Sequence, residues 1–106
     1  MAYNGEMNPR LGLSESDLQA FCARHHIARL ALFGSVLEGR DRPESDIDLL
    51  VEFEPTYQPG FFALAGMEAE LTTLVGRPVD LRTPSDLSRY FRDTVMTTAE
   101  VQFARR

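Results

Sequence analysis

Two aspartates one residue apart, Asp46 and Asp48, stand at the head of an apolar run that carries Leu49, Leu50, Val51 and Phe53. On a strand, positions i and i+2 share a face, so both carboxylates point the same way. Two such acids repel each other unless a cation lies between them. Hard oxygen donors of this kind suit Mg²⁺, which takes one or two carboxylates and fills its shell with water and substrate phosphates. The apolar residues behind them predict a buried, rigid strand, which holds such geometry well. Ten residues separate Asp46 from the preceding pair Gly34-Ser35. Glycine has no side chain to keep a bulky anion at a distance. A serine hydroxyl can cap a helix or donate to a phosphate oxygen. A helix starting at this turn would aim free N–H groups and a partial positive charge outward, which suits a phosphate.

A third acid follows the same logic. In Arg77–Arg82, RPVDLR, alternation puts Val79 and Leu81 on one face and Asp80 alone on the other. Three carboxylates from two strands, Asp46, Asp48 and Asp80, could hold two metal ions in the manner of phosphoryl-transfer sites. Gly34, Ser35, Arg40 and Ser45 complete the expected nucleotide-binding set. Ser45, immediately ahead of the acids, is expected to order the loop rather than react.

These residues need elements to position them. Ser14 to His26 reads as a helix, started by a box-like Ser14/Asp17 pair, with Leu18, Phe21, Cys22 and His25 on one face. His25 and His26 point about 100° apart on a helix and cannot grip one metal as a pair. Ala28–Phe33 reads as a strand into the Gly-Ser turn. Val36–Arg40 reads as one or two helical turns closed by Gly39, and 41–45 as a polar loop. Asp46–Phe53 is the second strand. Phe61–Val75 is a helix with Phe61, Leu64, Met67, Leu71, Leu74 and Val75 inward, Glu68 and Glu70 facing water, and Gly76 as its C-cap. Arg77–Arg82 is a third strand. Thr83-Pro84-Ser85-Asp86 starts a further helix whose apolar face is Leu87, Tyr90, Phe91 and Val95. The stretch 99–103 fits helix or strand equally. The resulting order, αβαβαβα, predicts an α/β (α+β) fold: a small mixed β-sheet with helices packed against it.

Residues 1–12 lack periodicity and read as a mobile leader, leaving 13–106 as a single domain. The net charge of −5 lacks the basic face with which proteins grip long nucleic acid, whereas a Mg²⁺–nucleotide brings its own positive charge. The single cysteine, Cys22, excludes an internal disulfide and reads as an apolar core residue. No long apolar run signals membrane insertion, so the cytoplasm is the expected compartment.

Gly-Ser, ten residues, then Asp-Ile-Asp before a hydrophobic strand resembles the polymerase-β-like nucleotidyltransferase signature. The short chain and the later Val79-Asp80-Leu81 resemble the minimal nucleotidyltransferase (MNT) family in particular, over roughly Leu30 to the C-terminus. The resemblance implies that Asp46 and Asp48 hold the metal bound to the triphosphate. It implies that Asp80 helps hold a second Mg²⁺ and accepts the proton of the attacking hydroxyl. It further implies an antitoxin that transfers AMP from ATP to a tyrosine of a HEPN-domain ribonuclease toxin and pairs with that toxin. Alternatives are an antitoxin that neutralises by contact alone and a small-molecule nucleotidyltransferase. The family often has arginine in a GSxARG-like segment; here the segment is GSVLEG, so Glu38 stands in that place, and Arg40 or Arg42 could supply the missing charge.

Overall fold

The structure is a computed structural model and describes residues 6–40, 42 and 45–105. Helix α1, Glu15–Arg24, begins at Ser14, whose Oγ accepts the Asp17 N–H at 3.1 Å. It buries Leu18, Phe21 and Cys22. The chain leaves it through His26 in the left-handed region (φ 56°) and enters strand β1, Ile27–Phe33. After the Gly34 turn comes β2, Ile47–Phe53. Helix α2, Phe61–Val75, ends on Gly76 at φ 82°, whose N–H returns to the Thr72 carbonyl. Strand β3, Val79–Arg82, is followed by one 3₁₀ turn, Pro84–Asp86, then α3, Arg92–Thr98, and β4, Glu100–Ala104.

The sheet order is β3-β2-β1-β4. β1 runs antiparallel to both β2 and β4, and β2 runs parallel to β3, so the sheet is mixed as expected. Alternation sorts its faces. Leu30, Leu32, Ile47, Leu49, Val51, Val79 and Leu81 join Leu18, Phe21 and Cys22 of α1 and Met67 and Leu71 of α2 in one buried cluster. Each such side chain, fully buried, contributes about 1.5–3 kcal/mol from leaving water. Asp48 and Asp80 alternate out to the opposite face, where Leu87 is buried after the 3₁₀ turn.

The structure changes several expectations. Residues 36–39 form hydrogen-bonded turns, not a helix: Gly39 N–H reaches Val36 O, Arg40 N–H reaches Ser35 O, and Gly39 at φ 74° breaks any helical path. The helix begun at Thr83 stops after one turn because Leu87 is extended (ψ 144°), so Tyr90 lies 84% exposed and off any core face. Phe61 and Leu74 are exposed, since the apolar face that α2 buries centres on Met67 and Leu71 with Leu64 and Val75 beside them. The stretch 99–103 belongs to β4. Of the expected mobile leader, residues 6–12 are folded: Leu11 is buried, and Asn8 Oδ1 accepts the N–H groups of Arg10 and Leu11 at 2.9 Å. Asn8 Nδ2 donates to Gln102 and Arg10 pairs with Glu100, pinning this segment to β4. Residues 1–5 lie outside the described residues. Among the described residues no helix is long and apolar enough to cross a membrane.

Candidate active site

Strand pairing assembles the acids. In the parallel ladder Asp48 stands directly opposite Asp80, and in the antiparallel ladder it stands opposite Phe33, the last residue before Gly34. Adjacent strands lie about 4.8 Å apart, so the two carboxylates are neighbours on one face. Gly34 takes φ 79°, and a β-carbon built on it would overlap Asp48 Oδ2 and lie 3.0 Å from Asp48 Cγ. Glycine is therefore required twice here, for the backbone conformation and for the room it leaves the acid. Asp46 is exposed just ahead of β2, and Asp48 is half-buried.

The Asp48 carboxyl is pushed above the ordinary aspartate range, first by burial, then by the charges of Asp80 and Asp46, with Arg82 opposing. Both other acids thus act on Asp48. Asp80 is held by Arg82, whose Nε lies 3.2 Å from both carboxylate oxygens and whose Nη2 lies 3.1 Å from Oδ2. Arg82 is itself raised, first by its hydrogen bond to Asp80 and its charge, with smaller help from Asp48 and Asp86. A pocket of about 170 Å³ opens over this group, lined by Phe33, Asp48, Asp80, Arg82, Leu87 and Phe91 among others. A larger groove of about 740 Å³ lies beside it, walled by Tyr57, Phe61 and Leu64. Asp80, Arg82 and Asp86 line both.

The donor set fits a hard divalent cation in chemistry: carboxylate oxygens brought together closely enough that Asp80 and Asp46 raise Asp48. In the present side-chain arrangement, among the described residues, no three His, Cys, Asp or Glu side chains surround one point. Asp80 is paired with Arg82.

The remaining expected residues divide. Ser35 lies in the turn, its carbonyl accepting the Arg40 N–H at 2.9 Å. The Arg40 guanidinium is bound to Glu38, its Nε 3.0 Å from Glu38 Oε1. Ser45 Oγ accepts the Arg42 N–H at 2.9 Å. Two arginines went unread in the sequence. Arg77 Nη2 donates to the carbonyls of Arg42 (3.0 Å) and Ser45 (2.8 Å), fixing the approach to Asp46. Nothing local in the sequence signals a contact across more than thirty residues. Arg82 could have been found: it stands at i+2 from Asp80 on a strand, hence on the same face. His25 and His26 are structural, the first on Glu70 and the second on Glu54. Glu68, expected to face water, instead accepts the Leu81 N–H at 2.8 Å.

A mixed sheet presenting paired acids beneath a Gly-Ser turn defines a nucleotidyltransferase-type α/β domain. The chain belongs to the nucleotidyltransferase domain family, which matches residues 17–102. It is 33% identical over 73 residues to protein adenylyltransferase MntA of Thermococcus cleftensis, covering 69% of this chain and 72% of that one. It is 34% identical over 64 residues to "Putative protein adenylyltransferase MJ1379" of Methanocaldococcus jannaschii, covering 60% of this chain and 64% of that relative, a little under two thirds of its length. Among solved structures, a toxin–antitoxin crystal structure with AMP-PNP is similar in fold, with TM-score 0.70 at 20% identity over 87% of this chain and 74% of that chain. So is the structure of a tri-AMPylated Shewanella oneidensis HEPN toxin in complex with MNT antitoxin, with TM-score 0.62 at 18% identity over 86% of this chain and 70% of that chain.

Proposed function

We propose that this chain is an MNT-type antitoxin that transfers AMP from ATP to a tyrosine of a HEPN ribonuclease toxin and thereby neutralises it. The observation that carries the reading is the register pair Asp48–Asp80 beside Gly34, in a chain similar to protein adenylyltransferases. The acceptor oxygen attacks the α-phosphorus. A new O–P bond forms, the bond to the β-phosphate breaks, pyrophosphate leaves, and Asp80 takes the hydroxyl proton. Asp46 and Asp48, with Asp80, would hold Mg²⁺, which when bound supplies charge neutralisation at the triphosphate. Gly34 and Ser35 form the turn beside these acids, past which the phosphates would approach. Positioning and electrostatics would supply most of the rate. The reading assigns the chain to the cytoplasm, where ATP is made available, as a hetero-oligomer with its toxin.

The test is incubation with Mg²⁺, α-labelled ATP and the protein encoded by the neighbouring gene. Label on that partner, abolished by Asp46→Asn with Asp48→Asn, is the expected result. Absence of label with wild type rejects the transferase reading.

A second reading, neutralisation by contact alone, is favoured by one observation. Glu38 stands where the related segment often has arginine, and it also engages Arg40, the nearest substitute cation. Equal neutralisation by wild type and the double variant, without label, would establish it. Label on a small molecule would move the chain to the third class.

A further inference from the structure

We propose that Arg82 is a positioning residue that acts as an internal counter-ion, holding Asp80 until a divalent cation takes its place. The inference rests on the metal-site reading above and concerns when the third carboxylate becomes available. Arg82 makes a two-pronged contact with Asp80, from Nε at 3.2 Å to both oxygens and from Nη2 at 3.1 Å to Oδ2. Asp80 faces Asp48 directly across the ladder. With the guanidinium in place, the face carrying like charges has one of them compensated; without it, two adjacent strands would present uncompensated acids. The same contact engages both Asp80 carboxylate oxygens, while Asp80 and Asp48 line one pocket.

The latch is built to open. The side chains of Arg82 and Asp80 are 48% and 30% exposed, so water screens their attraction and a doubly charged ion can outcompete it. Arg82 also lines the larger groove, so open space borders it on that side. Opening lets Asp80 join Asp48 and Asp46.

The experiment uses Mn²⁺ alone, with no nucleotide, and reads free Mn²⁺ by electron paramagnetic resonance. Arg82→Gln should bind Mn²⁺ about two- to fivefold tighter than wild type, the range set by a partly exposed ion pair. Arg82→Lys, which keeps the charge but loses the fork, should lie between. In an Asp80→Asn background the Arg82→Gln gain should vanish, since the latch has no catch. Persistence of the full gain in that background would show simple charge repulsion and overturn the inference, as would unchanged Mn²⁺ affinity in Arg82→Gln or no Mn²⁺ binding by wild type. If Arg82→Gln does not fold, tightening or its absence in Arg82→Lys decides. AMP transfer with unchanged Mn²⁺ affinity in the variant sinks the latch alone; the stated Mn²⁺ pattern without any AMP transfer sinks the proposed reaction alone.

Discussion

Gly34 and Asp48 touch so closely that a single added carbon on the glycine would fall on the carboxylate oxygen. The backbone there is also left-handed, at φ 79°. Gly34→Ala should therefore cost about 1–3 kcal/mol from the backbone alone. It should also swing Asp48 off its axis. Denaturant unfolding should show the loss of stability, and AMP transfer should fall further than the unfolded fraction explains.

Asp48 carries a charge its surroundings resist. Its carboxyl is raised by burial, then Asp80, then Asp46, so the folded chain holds this proton more tightly than the unfolded chain does. The contribution to stability is full below the ordinary aspartate pKa and is lost as pH rises through the raised value. Asp48→Asn should then melt higher than wild type at neutral pH without divalent cations. The two should converge on acidification to about pH 3, below the ordinary carboxylate range. Melting scans across pH read this directly, and equal melting at pH 7 would refute it.

Glu68 and Thr72 of α2 accept the N–H groups of Leu81 (2.8 Å) and Val79 (3.0 Å). Glu68→Ala should leave the Leu81 N–H without its acceptor and cost about 1–3 kcal/mol. Amide hydrogen exchange at Leu81 should quicken more than at Leu49 in the neighbouring strand.

Asn8 is 5% exposed and serves Arg10, Leu11 and Gln102 at once. Asn8→Ala strands these groups and should destabilise the fold by about 1–3 kcal/mol. A null effect in chemical denaturation would show residues 6–12 to be dispensable.

Cys22 lies fully buried, and burial pushes its thiol up to about 12. Thiol reagents at pH 8 should label it only after denaturant is added, because thiolate is the reactive form.

How much of this was legible in the sequence follows from how local each determinant is. Apolar alternation around Asp48 and Asp80 fixes the faces of β2 and β3, so their common face was readable from period-two patterning, whereas Asp46 stands ahead of β2. Phe61–Val75 was readable to the residue because Gly60 and Gly76 bracket it. Residues 6–12 were not, because their order depends on Gln102 and Glu100, ninety or more positions away. Tyr90 and Phe91 looked like core because their spacing suits a helix, yet the chain breaks at Leu87 before that helix can form. Arg40 looked available for phosphate until Glu38, two residues earlier, was seen to occupy it.

The donors on the outer flank of β3 are already spoken for by α2, and that has a bearing on how a partner can arrive. A visiting segment cannot dock there by extending the sheet, since strand addition needs free amides to template it. A segment approaching Asp80 from this side meets the side chains of the neighbouring groove, so selectivity at this end of the molecule is a matter of shape and chemistry rather than of shared backbone.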